Sequence, residues 1–363
     1  MRQIIAVALA VAVVSAACAN DRQPFNVESV TSFNEPWAMA FLPDGNLLVT
    51  EKSGQLLLVS ADGQSAEAIT GVPAVDYGGQ GGLGDIALHP DYADNGVVYL
   101  SYAESGDDDT RGAAVARAVL DIDAKSLADV TVIWRQFPKT TGKGHYGHRL
   151  LFDDEGYLWV SSGERQKFDP SQDMQSNMGK LLRLNDDGSA AEGNPFFDQG
   201  GVTAEIWSLG HRNPLGIDFD TQGRLWNSEM GPRHGDELNL VIKGENYGYP
   251  IVSNGRHYSG MPIPDHDTRP DLEAPKEWWN PSIAPADLMF YDGDAFADWI
   301  GDAFIPGLAG KTLVRVEIDG DDAREAQRYD MGKRIRSVEQ GPDGNIWLLE
   351  DQEGGRLLKL TPR

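Results

Sequence analysis

The 363-residue chain contains one cysteine, seven histidines, and 31 lysines and arginines against 56 aspartates and glutamates. A lone Cys18 excludes an internal disulfide framework, and with it a cysteine-rich zinc cluster. The formal net charge of −25 repels nucleic acid and anionic lipid and favours a soluble monomer. Long apolar runs are missing except from Ile4 to Val14. That run, with Arg2 before it and Ser15 to Ala19 behind it, has the form of a secretory signal and is too short to span a bilayer. We therefore assign residues 1–19 to a signal and 20–363 to one domain, exported to the periplasm or beyond. Cys18 stands where a lipoprotein signal places its acylated residue; simple cleavage after Ala19 is the alternative. The domain has no linker-like stretch and no convincing amphipathic helix.

What it has instead is repetition. Residues 37 to 59 read as an alternating apolar strand, an Asp44-Gly45 turn, a second strand, a turn and a third strand. The unit recurs at Leu83 to Ala103, Arg149 to Glu164, Leu215 to Glu229 and Ile335 to Glu350, with a weaker copy from Ala286 to Val316. Six such units predict an all-β, six-bladed β-propeller, each blade burying its faces against its neighbours. An early strand near Phe25 to Val30 is expected to close the ring beside Arg356 to Leu360. A pair of β-sandwiches is the alternative architecture.

Five stretches carry candidate chemistry. A loop from Thr141 to Gly144 leads into His145, and a hairpin turned at Asp154 to Gly156 returns Glu164 to the same end of the sheet. An imidazole beside a carboxylate can take a proton from a hydroxyl at neutral pH; a solvated surface histidine is the plainer reading. Zinc on His145, His148 and Glu164 is disfavoured because the spacing lacks a helical scaffold. The run Gly78 to Gly84 permits close backbone approach to a flat ligand, with Gln80 its only hydrogen-bonding side chain. It lacks the Lys, Ser or Thr of a phosphate loop. Arg212 and Asn213, before Pro214, place a cation at a strand mouth, which in an acidic protein suggests a bound carboxylate. Residues 229–237, with Gly231, Pro232, Asp236 and Glu237, offer hard oxygen ligands suited to calcium. Asn246 and Tyr247 follow in a second irregular loop. Lys311, Arg334 and Arg336 stand near strand ends, and the two arginines, two apart, share one side of a strand.

With these residues in view, the chain resembles the soluble quinoprotein glucose dehydrogenase and aldose sugar dehydrogenase family. The match is carried by Gly79-Gln80-Gly81-Gly82-Leu83, His145 to Arg149, Gly210-His211-Arg212-Asn213-Pro214, Ser228 to Pro232, Gly244 to Gly248 and Arg334-Ile335-Arg336. The resemblance implies a six-bladed propeller that binds pyrroloquinoline quinone (PQQ) and calcium (Ca2+) and oxidises aldose sugars to lactones, passing electrons to an acceptor the motifs do not specify. It implies that His145 is the base, that Glu164 replaces an aspartate that pairs with it, and that Arg212 polarises the quinone. Gln80, Asn213, Ser282, Lys311, Arg334 and Arg336 would hold the cofactor. The carbonyls of Gly231 and Pro232 would meet the cofactor's calcium, and Glu237 and Tyr247 a second, structural one. Glu164 is one methylene longer than the family's aspartate, and Ser282 stands where a threonine is expected. A calcium-dependent lactonase or esterase and a non-catalytic sugar-binding platform are the competing functions on the same fold.

Overall fold

The turns account for part of the chain's abundance of glycine, 41 residues in 363. In the computed structural model, which describes residues 23–363, Gly45, Gly156, Gly223 and Gly344 each end the turn between the first and second strands of a repeat with φ between 73° and 87°. A side chain is strained in that region, so glycine is the residue that reverses the chain there. The N–H of each closes the turn on a carbonyl three residues back, as Gly45 does on Leu42 at 2.9 Å and Gly156 on Asp153 at 3.0 Å.

Each hairpin extends into a four-stranded antiparallel sheet, and six such sheets form the propeller. Blades 1 to 5 cover 36–69, 83–135, 147–209, 214–279 and 289–330 in order. The sixth joins three C-terminal strands to the N-terminal strand Phe25–Asn34, which pairs antiparallel with Glu353–Pro362. Ring closure is therefore a contact between the two ends of the chain. Sequence patterning located the inner strands and the closing strand of blade 6 but missed the outermost strands of the other blades. Ala66–Ile69 buries only its last residue, and Glu277–Trp279 is three residues long; neither carries enough alternation to be read. Blade 5 is the weak repeat because its inner strand is only Met289–Phe290. The proposed signal and Cys18 lie outside the described residues. Among those described, no helix is long and apolar enough to cross a membrane.

Apolar clusters fill the spaces between blades. Trp159 packs edge-on against Trp207 and Phe219 between blades 3 and 4. At the closure, Phe25 is fully buried and packs edge-on against Tyr329 and Trp299 of the adjoining blade.

A second regularity positions the site. In five blades the register of the inner strand slips near its first residue: between Pro36 and Ala38, Leu83 and Ile86, Gly147 and Leu150, Pro214 and Gly216, and Ile335 and Ser337. A β-bulge at that point re-aims a side chain that regular pairing would send into the blade. Trp37, His148, Leu215 and Arg336 are bulged residues, and all four line one cavity of about 360 Å³ at the propeller's centre.

Phe25→Ala tests the closure. Removing a fully buried phenylalanine from between blades 5 and 6 is expected to destabilise the fold by about 3–5 kcal/mol, read as a lower midpoint in urea denaturation. An unchanged midpoint would show that the ring does not depend on the N-terminal strand.

Candidate active site

The strand Gly147–Phe152 is preceded by a loop that adopts a left-handed backbone at His145, φ 51°. Holding a non-glycine residue there costs about 1–2 kcal/mol, and Arg165 supplies the restraint. Its buried guanidinium donates to the carbonyls of Gly144 at 2.8 Å, Gly142 at 2.5 Å and Arg111 at 2.7 Å, and stacks 3.8 Å over the Tyr146 ring. The sequence reading left Arg165 out, and a charge next to Glu164 was its only signal.

His145 Nδ1 lies 2.5 Å from Glu164 Oε1, so the longer glutamate reaches the imidazole. The other carboxylate oxygen accepts the backbone N–H groups of Lys167 at 2.5 Å and Phe168 at 2.7 Å. Burial alone would raise the Glu164 pKa; the hydrogen bond and charge of His145, with the Phe168 amide, more than reverse this and hold it below the usual carboxylate value. Burial likewise lowers the His145 pKa, the nearby Arg212 charge acts in the same direction, and the hydrogen bond to Glu164 opposes both. The pair is thus an anionic carboxylate and a neutral imidazole. Its Nδ1–H points at Glu164, which leaves the Nε2 lone pair available for a proton.

The loops carrying the other site residues are tied to this pair. Gln80 Oε1 accepts the His145 backbone N–H at 2.6 Å, and the Glu164 N–H donates to the Arg212 carbonyl at 2.9 Å. Arg212 is held by its own N–H on Glu229 Oε2 at 2.6 Å and by Nη1 on the Met230 carbonyl at 2.9 Å. Its Nε is buried without a partner. Glu229 is fixed in turn by His211 Nδ1 at 2.9 Å.

Three hollows meet here. Gln80, Arg334 and Arg336 line the central cavity. His145, Glu164 and Arg212 line a second cavity of about 290 Å³, walled by Phe168 and Tyr249. A small cleft carrying Gly231, Pro232 and Glu237 shares Met230 with the first and Arg212, Pro232 and Tyr249 with the second. Arg334 and Arg336 both donate to Asp351, at 2.7 and 2.9 Å; Arg334 precedes the strand and Arg336 lies in its bulge, so they converge by a route other than the strand alternation expected from their spacing. Asp351 itself went unread, as did Trp37 and Lys52.

Other expected site residues sit differently. Asn213 is fully buried and accepts the Gly147 N–H at 3.2 Å, with its Nδ2 unpartnered; it supports the cavity wall and does not line it. Ser282 is half-buried and Lys311 exposed, and neither belongs to the cavity lining. The Tyr247 hydroxyl donates to the Leu240 carbonyl at 2.5 Å, while its own carbonyl faces His266 Nε2 at 3.2 Å. In the small cleft, burial and the neighbouring Glu229 charge raise the Glu237 pKa well above the carboxylate range. Zinc finds no support: among the described residues no three His, Cys, Asp or Glu side chains converge in a metal-binding group.

A propeller with a cationic central cavity beside a histidine–carboxylate pair defines a class of sugar-oxidising enzyme, and the comparisons with known proteins agree. The aldose sugar dehydrogenase YliI of Escherichia coli (strain K12) is 40% identical over 345 residues, 93% of each chain. Quinoprotein glucose dehydrogenase B of Acinetobacter calcoaceticus is 26% identical over 412 residues, 90% of this chain and 85% of its own. The solved PQQ-bound form of an aldose sugar dehydrogenase from Streptomyces coelicolor superposes with a TM-score of 0.79 at 28% identity, over 93% of this chain and 98% of that one. The Glucose / Sorbosone dehydrogenase family profile matches residues 33–359, and the chain belongs to that family.

His148, on the cavity floor, gives a pH test of the structure. Both ring nitrogens are buried without partners, and burial pushes its pKa from 6.5 down to about 3. Between those values the unfolded chain binds a proton that the folded chain refuses, so stability rises with pH across the window and is complete above 6.5. His148→Phe keeps a ring against Tyr146 and removes the titration. Urea denaturation from pH 4 to 7 is expected to show a flatter acid limb for the variant and no loss at pH 7. An unchanged slope would contradict the burial.

Proposed function

We propose that the protein oxidises the anomeric carbon of aldose sugars to lactones with PQQ and calcium. One observation carries the reading: Gln80 lines the cationic cavity and also holds the backbone of His145, so the cation site and the base belong to one site. The central cavity suits a flat polyanion, with Trp37 on its wall and Arg334 and Arg336 on its rim. Orphaned polar atoms at Arg212 Nε and the Tyr146 hydroxyl stand ready for a ligand that supplies acceptors.

The small cleft suits calcium. The Gly231 and Pro232 carbonyls accept no hydrogen bond among the described residues, and Glu237 receives only a 3.4 Å contact from Asn239. These are hard oxygens lacking donors, beside carboxylates that repel one another. Glu237 and the Tyr247 carbonyl are the donors for a second, structural calcium. An exported, periplasmic location with a separate electron acceptor completes the proposal.

Bound in the cavity, the quinone would supply the acceptor for the hydride that leaves the anomeric carbon. The chain's own groups do the rest. His145 Nε2 takes the proton of the anomeric hydroxyl, and Glu164, anchored by two amides, keeps the imidazole in the right tautomer and stabilises the cation that forms. Arg212 sets a fixed positive charge at the junction of the hollows, where negative charge develops. Phe168 and Tyr249 give the sugar apolar walls and exclude water. The hydrolase alternative requires several acidic side chains around one cation; Asp85, Asp218, Asp287 and Glu339 do line one hollow, but Arg149 already stands among them and pairs with Asp85 and Asp287.

Reconstitution tests the reading. Protein loaded with PQQ and calcium is expected to bleach the oxidised cofactor spectrum when an aldose is added. His145→Ala should bind the cofactor nearly as well yet slow the bleaching by about 10²- to 10⁴-fold, the scale of general-base loss. Absence of bleaching across a panel of mono- and disaccharides would favour a non-catalytic sugar platform.

A further inference from the structure

The central cavity holds a third cation that none of the motifs identified. Lys52 follows the second strand of blade 1, Leu47–Glu51. The pairings Pro36 with Glu51, Pro214 with Glu229 and Ile335 with Glu350 are equivalent in their blades. The next residues, Lys52, Met230 and Asp351, therefore occupy one repeat position, and all three line the central cavity.

The backbone of Lys52 is fixed on both sides. Its N–H donates to the Glu35 carbonyl at 3.0 Å, and its carbonyl accepts the Leu83 N–H at 3.0 Å, so the residue is pinned between blades 1 and 2. The ammonium meets Glu35 Oε1 at 3.0 Å with a side chain 19% exposed. Glu35 also accepts the Tyr77 hydroxyl on its other oxygen, and Glu35 lines the same cavity. In the adjoining blade 6, Asp351 plays the same part for Arg334 and Arg336, and the Glu35 N–H donates to the neighbouring Gln352 carbonyl at 3.1 Å. Each cationic wall thus carries one carboxylate that orients it, and the cations outnumber the carboxylates three to two. A wall built this way holds its donors in place for an incoming polycarboxylate, which finds them already aligned.

We propose that Lys52 is an anion-binding residue of the quinone site, gripping a ligand carboxylate from blade 1, beside Arg334 and Arg336 of the adjoining blade 6, with Glu35 as its resident counter-ion. The inference rests on the quinone reading above.

Isothermal titration calorimetry of PQQ into the calcium-loaded protein tests this without turnover. Lys52→Met is expected to weaken binding by about tenfold or more, the scale of a lost charge-assisted hydrogen bond, and to flatten its dependence on ionic strength. Lys52→Arg should restore most of the affinity. Glu35→Gln leaves Lys52 intact and removes a competing anion, so it should bind at least as tightly as the unaltered protein. That variant keeps the test decisive if Lys52→Met fails to fold. Lys52→Met binding within twofold of the unaltered protein would overturn the proposal, as would a Glu35→Gln variant weakened to the same degree, since the pair would then be structural only. An unaltered protein that binds no PQQ would overturn the cofactor reading itself.

Discussion

A strand shows its side chains to two faces, and a propeller blade needs both faces for its neighbours. A site at the centre requires a third direction. The register slip at the head of five inner strands provides it: below the bulge the chain alternates into the clusters between blades, and at the bulge a side chain turns to the axis. Trp37, His148, Leu215 and Arg336 reach one cavity through this device, although some 300 residues of chain separate the first from the last. The ring must therefore be closed for the site to exist, because blade 6 contributes Arg336 and is completed by the strand at the other end of the chain.

Charge is distributed to the same purpose. A protein with a formal net charge of −25 would repel a polyanion unless its cations were concentrated where the ligand sits. Lys52, Arg334, Arg336 and Arg212 are concentrated in this way, each oriented by a carboxylate or a backbone group. The low dielectric of a half-buried cavity strengthens their attraction relative to that of the acidic outer surface, which water and salt screen. Burial and the Arg212 charge have a second effect: they keep His145 unprotonated, and an unprotonated imidazole is the form that can act as a base.

Much of this was legible in the sequence for reasons that can be named. Asp-Gly turns declare themselves because few residues tolerate their geometry, so the repeats and the closing strand could be placed. The hairpin from His145 to Glu164 was readable because strand length and turn position fix which ends meet. Arg334 and Arg336 were singled out by their spacing, although a bulge and not strand alternation brings them to one carboxylate. Trp37, Lys52 and Asp351 were not, because their significance comes from equivalent positions in different blades, which appear only after the register slip is known. Asn213, assigned to the ligand from its motif, is buried and accepts the Gly147 N–H, with its Nδ2 left unpartnered. Lys311 and Ser282 rested on alignment through an irregular blade, where the short inner strand Met289–Phe290 gives little register to align by.

The central claim is that a neutral, carboxylate-anchored His145 faces the sugar beside a cationic cofactor cavity. Its most direct test is the pH dependence of the reductive half-reaction, followed by stopped-flow in PQQ- and calcium-loaded protein. The account predicts an acid limb with its midpoint below the ordinary histidine value of 6.5, moving lower still in Glu164→Gln, because the carboxylate that favours the imidazolium is gone. A rate independent of pH through that range, or a limb that moves upward in the variant, would contradict it.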